Sequence, residues 1–188
     1  MTLEQTADER PYRLTVGIIV YRQDPEEGIR YLLAQQSFPP FRWKIPQEGY
    51  EPEDQNSLER TVARGIRQEL AAHLPVQGAF RNLKDTGLTV RSQYNSRGAL
   101  LVYPEYQGKI VSYFLAEYTG PEQNPLYMRV AARAIASMPN PVSPLLEVRA
   151  VKWVAHQHLL HHLKDGEMQM VAEAIRLWLT NAQQESRA

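Results

Sequence analysis

The chain has no cysteine among its 188 residues. Disulfides, Cys-ligated zinc or iron–sulfur centres and a thiol nucleophile are therefore excluded. It also lacks an excess of either charge. Twenty-one basic side chains face 21 acidic ones, with a sequence pI near 7.0. No global field recruits nucleic acid or an anionic membrane, and only a local patch could do so. No apolar run approaches the roughly 20 residues that a membrane helix needs. The N-terminal MTLEQTADER lacks the basic-then-apolar order of a signal peptide. Repeats and low-complexity tracts are missing too. What remains is ordinary for a folded domain: 43% hydrophobic and 22% charged residues, in a length that fits one core. These priors lead us to expect a soluble cytoplasmic protein.

The pattern along the chain gives one domain over residues 12–180, between polar tails at 1–11 and 181–188. Tyr12 to Tyr21 (YRLTVGIIVY) is a β-branched run of strand type, and Ile29 to Gln36 pairs back on it across Asp24-Pro25-Glu26-Glu27-Gly28. Pro39 and Pro40 stop the second strand. The short apolar segment Trp43-Lys44-Ile45-Pro46 precedes an acidic loop. Leu58, Val62, Ile66 and Leu70 then recur every four residues and predict a helix with one buried stripe. Asn56, with Glu59 three residues on, fits a capping box, and Pro75 ends the helix. Strands are expected at Ala79–Asp85, Gly98–Tyr103, Lys109–Tyr118 and Val148–Val154, with turns at Gly87-Leu88 and Tyr106-Gln107-Gly108. Residues 119–146 hold Pro121, Pro125, Pro139, Pro141 and Pro144 around an Arg/Ala-rich segment, Leu126 to Met138. They read as a proline-rich helical insertion. A helical turn at His156–Lys164 and an amphipathic helix over Glu167 to Thr180, with Met168, Val171, Ile175 and Leu179 inward, complete the domain. This order implies an α+β fold, a mixed β-sheet with helices on both faces.

The informative stretch is Trp43 to Leu74, WKIPQEGYEPEDQNSLERTVARGIRQELAAHL. It resembles the Nudix family of hydrolases, whose pattern is Gly, five residues, Glu, seven residues, then Arg-Glu-apolar-x-Glu-Glu-x-Gly-apolar. The entry Trp43-Lys44-Ile45-Pro46-Gln47-Glu48-Gly49 is similar to the W-x-F/L-P-Q/K-G-G entry of the branch acting on dinucleoside polyphosphates and RNA 5′ ends. Gly17-Ile18-Ile19 with Tyr31-Leu32-Leu33 resembles the family's opening hairpin, and Glu147 to Val154 resembles its closing Glu-x5-Trp-Val segment. The resemblance implies a Nudix-like α/β/α sandwich. It also implies hydrolysis of a nucleoside diphosphate linked to another moiety, with Mg²⁺ or Mn²⁺ as cofactor.

The chain departs from that pattern at its chemistry. With Arg64 on the family's Arg, residues Gly65, Ile66, Arg67, Gln68 and Glu69 fall on Glu-apolar-x-Glu-Glu. One of three metal-binding carboxylates remains, Glu69. The family's Gly becomes Ala71, the Gly49-to-Arg64 interval is one residue longer, and Glu53 or Asp54 covers the loop Glu. Phosphoanhydride cleavage needs charge neutralised on phosphoryl oxygens and a water activated near pH 7, both supplied by a carboxylate-held cation. A lone carboxylate holds Mg²⁺ weakly, because the hydrated ion releases water reluctantly. Impaired catalysis is therefore expected, and the alternative is a catalytically silent Nudix domain that binds a nucleotide or a protein partner.

The resemblance carries Glu69, Arg64 and Glu147 over as catalytic residues. It gives Glu69 as principal metal ligand, with Glu53, Asp54, Glu59 and Glu147 as accessory carboxylates. Arg42, Trp43, Lys44 and Gly49 would contact substrate. Arg64 orients a carboxylate or faces solvent, and the acidic cluster of Glu51, Glu53, Asp54 and Glu59 equally suits a helix N-terminus. Gly65 costs a helix about 1 kcal/mol against Ala, which points to a close packing contact or to relaxed selection. His158 and His162, four apart, could chelate a transition metal, though a surface histidine cluster is the simpler account. His73 is a remote candidate as a replacement ligand. Arg22, Tyr94, Arg97 and Tyr113 could contact phosphates and a base, or be ordinary strand and loop residues. The expected partner is a nucleotide-type small molecule, with an RNA 5′ end as the one nucleic-acid exception and a homodimer as a further option.

Overall fold

In the computed structural model, residues 10–36, 42–55, 57–94, 103–121 and 148–163 are described, together with Gln169, Ala172, Ile175 and Leu179. The β-branched run that opens the chain forms β1 (Tyr12–Asp24), which turns at positive-φ Gly28 into β2 (Gly28–Gln36). The two strands pair only from Tyr21↔Tyr31 to Asp24↔Gly28, and then separate. Two short strands occupy the space between them. β3 (Trp43–Lys44) pairs with β2, and β4 (Gln47–Gly49) pairs with β1. Pro46, which cannot donate to a ladder, lies between β3 and β4, and its carbonyl accepts from Ile18 N at 2.8 Å.

On its other edge β1 runs parallel to β6 (Gly108–Tyr118), from Tyr12↔Gly108 to Tyr21↔Glu117. β6 in turn carries β5 (Phe80–Gln93) antiparallel. β7 (Val148–Ala155) lies against the outer edge of β2. Among the described residues the result is a seven-stranded mixed sheet with the main order β3-β2-β1-β6-β5.

Alternation along β1 and β6 sorts the core into two layers. Val16, Ile18 and Val20 face Val62, Ile66 and Leu70 of the long helical segment. Ile19, with Val111, Tyr113 and Leu115, faces Leu159, Leu163, Ala172, Ile175 and Leu179 on the opposite side. Helical residues therefore cover both faces of a mixed sheet, as the α+β reading expects.

Several details differ from the expectations. The helix α1 (Leu58–Gly65) is capped by Ser57, whose hydroxyl accepts from Arg60 N, so the cap lies one residue after Asn56. Ser57 has the extended backbone that a cap needs. β5 continues through Gly87-Leu88 as one strand. The turn chemistry there appears as a register shift between Asp85 and Thr89, with Gly87 at positive φ. The final helix keeps Ile175 and Leu179 inward and adds Ala172. Met168, Val171, the strand residues 98–102, the insertion segment Leu126–Met138, Asn56, Arg97 and Glu147 lie outside the described residues.

Candidate active site at the junction of β4 and α1

The site is built where β4 passes the long helical segment. A 3-10 turn over Pro52–Asp54 leads in, with Glu51 at its cap. Asp54 Oδ2 accepts from Glu51 N at 3.0 Å, and Gln55 closes the turn in the left-handed region. α1 follows and passes at Gly65 into a π-helical stretch, Ile66–Leu70. The wider turn leaves Ile66, Glu69 and Leu70 buried, and Arg67 and Gln68 exposed. Inserted π turns of this kind are frequent at functional sites.

Arg64 is the organising side chain. Its Nη2 lies 2.8 Å from Asp54 Oδ2, its Nε 3.2 Å from Asp54 Oδ1, and its Nη1 2.9 Å from Glu48 Oε1. It also donates to Gly49 O and, at 3.3 Å, to Gln68 Oε1. The guanidinium holds Asp54 down at a pKa of about 2, helped by Glu51 N and by the Thr61 hydroxyl at 2.9 Å. The hydrogen bond to Asp54 and the charges of Glu48 and Asp54 raise Arg64 in return. Of the two open readings, pairing with a carboxylate is the one observed.

The carboxylates take different positions. Glu69 is 5% exposed and Asp54 3%, whereas Glu53 and Glu59 are exposed. Asp54 is committed to Arg64 and Thr61. Glu59 accepts from the Ser57 hydroxyl at 2.9 Å, and its own backbone amide and that hydroxyl lower its pKa. Among the described residues, no three His, Asp or Glu side chains converge as a metal-binding group. Glu48, which the motif alignment leaves out of the carboxylate set, does reach the junction. Its signal is the β4 register Val16↔Glu48, which turns its side chain to the α1 face.

The sequence-predicted substrate residues lie along β3 and β4. Trp43 carries the ammonium of Lys152 4.1 Å above its ring, and Lys152 Nζ lies 2.8 Å from His162 Nδ1. Lys44 is its neighbour on β3, and exposed Arg42 accepts at its carbonyl from Gln36 N. Gly49 is held between Arg64 and the Arg13 guanidinium, which occupies the space a Cβ would need. Across the same sheet face Lys109 Nζ donates to Gln47 Oε1 at 2.6 Å, and Gln47 Nε2 lies 3.5 Å from the hydroxyl of buried Tyr113. Tyr94 stacks on Tyr103, 5.9 Å between centroids, while Arg22 lies over Trp153.

The histidines go elsewhere. His162 engages Lys152, and His158 neighbours the His161 ring at 6.2 Å. His73 is buried, with Nε2 3.0 Å from Val148 O, tying the end of the helical segment to β7.

No family model and no curated protein matches the chain. Solved structures do. An Ap4A hydrolase from C. elegans, in a binary complex, superposes with a TM-score of 0.61 at 18% identity, covering 90% of this chain and 98% of that one. The Nudix fold is shared. The NUDIX domain of Shewanella oneidensis NrtR, complexed with ADP ribose, has a TM-score of 0.58 at 17% identity, over 95% of this chain and 94% of that one. The dihydroneopterin triphosphate pyrophosphohydrolase of E. coli gives 0.58 at 14% identity, over 89% and 98%. These Nudix-fold likenesses span nearly the whole of each neighbour. Among the described residues, no helix is long and apolar enough to cross a membrane.

Proposed function

We propose that the protein is a Nudix-type pyrophosphohydrolase of low turnover, acting on a nucleoside diphosphate linked to another moiety. The observation that carries this reading is Glu69. It is a carboxylate only 5% exposed on the helical segment, five residues after Arg64, within the stretch that resembles the Nudix box. A charge held there favours a cation beside it. The neighbour named as an Ap4A hydrolase and the one complexed with ADP ribose support this reading, since each of those molecules holds a nucleoside diphosphate linked to another moiety.

Divalent metal fits the chain in a reduced form. No triad of acidic or histidine ligands is present among the described residues, so a cage made by the protein alone is not offered. Mg²⁺ or Mn²⁺ commonly binds through one or two carboxylates plus substrate phosphates. Glu69 would be the protein's principal contribution, and the exposed Glu53 and Glu59 are too solvated to add much. When bound, the cation would neutralise charge on the phosphoryl oxygens and lower the pKa of a water. The chain's own part is to hold Glu69 in place through the packed π segment, and to fix the β4 backbone at Gly49 through Arg64 and Arg13.

A second reading is a silent nucleotide-binding domain. It is favoured by Gly65 and Gln68, which remove two charges from the helix face. The first test separates metal from metal–nucleotide. Thermal stability should barely respond to millimolar Mg²⁺ or Mn²⁺ alone, and should rise with Mn²⁺ and ADP-ribose together. A clear shift with metal alone, abolished by Glu69→Ala, would contradict the reduced site. No shift with any nucleotide would remove the nucleotide reading altogether.

A further inference from the structure

Gly65 sits where the resembled family carries the first glutamate of its box, and the structure shows why a side chain is missing there. A Cβ at residue 65 would lie 2.7 Å from Ile18 Cδ1, 2.8 Å from Glu48 Cβ and 3.2 Å from Glu48 Cγ. Two of these are closer than non-bonded carbons tolerate. The volume is shared by the terminal methyl of Ile18 and the stem of Glu48, whose register opposite Val16 directs it from β4 onto the helix. Its carboxylate is anchored there, with Oε1 2.9 Å from Arg64 Nη1 and 3.0 Å from Gly49 N, and its side chain is 14% exposed. An acid and a glycine have thus exchanged elements. The strand holds a glutamate where the family's entry has glycine, and the helix holds a glycine where the family has glutamate.

We propose that Glu48 is the relocated acidic side chain of this site, supplying from β4 the negative charge that α1 lacks at residue 65. It acts as a positioning residue, packed against position 65, which precedes Glu69 by four residues on the helical segment, and sets the charge that receives a cation–phosphate pair. This rests on the nucleotide reading above. The geometry makes a specific demand. The exchange should be reversible, because a glycine at 48 removes two of the three close contacts and leaves only the terminal methyl of Ile18, which a side-chain rotation can move.

Two measurements test it. The first is the unfolding midpoint of Gly65→Ala, alone and combined with Glu48→Gly. Gly65→Ala should lower the midpoint in the native background despite alanine's better helix propensity, and should lower it less when residue 48 is glycine. The second is Mn²⁺ affinity in the presence of ADP, followed by the electron paramagnetic resonance of free Mn²⁺. Glu48→Gln, which keeps the shape and removes the charge, should weaken Mn²⁺ binding by about tenfold, a loss of about 1.4 kcal/mol. The exchanged variant, Glu48→Gly with Gly65→Glu, should recover most of that affinity. Native binding left unchanged by Glu48→Gln would overturn the proposal while leaving the nucleotide reading intact. A folded exchanged variant without recovery would overturn it as well. Absence of Mn²⁺–ADP binding by the native protein would remove both readings together.

Discussion

Arg64 grips Asp54 with two hydrogen bonds, Nη2 to Oδ2 at 2.8 Å and Nε to Oδ1 at 3.2 Å. The forked geometry matches a planar guanidinium to a planar carboxylate, and the pair joins the turn before α1 to the helix itself. Removing one partner of a largely buried pair leaves the other charge poorly solvated. Arg64→Ala should therefore cost about 3 kcal/mol in urea unfolding. Arg64→Lys should recover less than half of it, since an ammonium cannot make the fork. A loss below about 0.5 kcal/mol would place the pair among solvated surface bridges.

The same pair sets an acid limit. Asp54 has a folded pKa of about 2 against an ordinary 3.8, so its stabilising contribution is complete above the unfolded value. That contribution falls as pH drops from near 4 towards 2, when the unfolded chain takes up the proton first. The stability difference between the native protein and Asp54→Asn should be flat at higher pH and shrink across this interval. A difference that stays constant down to pH 2 would show that Arg64 does not hold the carboxylate.

His73 gives a second, milder pH dependence. Burial lowers its pKa below 6.5, and the bond to Val148 O only partly offsets this. The neutral ring is favoured in the folded state, so the stability is full above the unfolded pKa and declines as pH falls below 6.5. Between pH 7.5 and 5.5 the native protein should lose more melting temperature than His73→Gln. Equal losses would mean that His73 titrates freely in the folded protein.

Much of the fold was legible because period and punctuation agree. The Leu58–Leu70 spacing did place Val62, Ile66 and Leu70 in one core layer, and Pro75 did follow the last helical turns. The β-branched run Tyr12–Tyr21 did form β1. The helix cap shifted to Ser57 because backbone geometry decides between adjacent capping residues, and sequence offers no view of it. Glu48 escapes the motif for a similar reason. In the motif it looks like a lost glycine, and only the register Val16↔Glu48 turns it towards α1. The π turn at Ile66–Leu70 has no residue signature beyond Gly65 at its start. Arg64 was legible as a residue but not as a hub, since its partners come from β4 and the 3-10 turn.

Slow hydrolysis of a nucleotide phosphoanhydride supported by Glu69 is read out as nucleoside monophosphate release from ADP-ribose and dinucleoside polyphosphates with Mn²⁺, comparing the native protein with Glu69→Gln. The native protein should show a low but measurable turnover that falls at least about tenfold, or 1.4 kcal/mol of transition-state stabilisation, in Glu69→Gln, with the fold intact by circular dichroism. Nucleotide binding without product release by the native protein, or equal release by the two proteins, would contradict it.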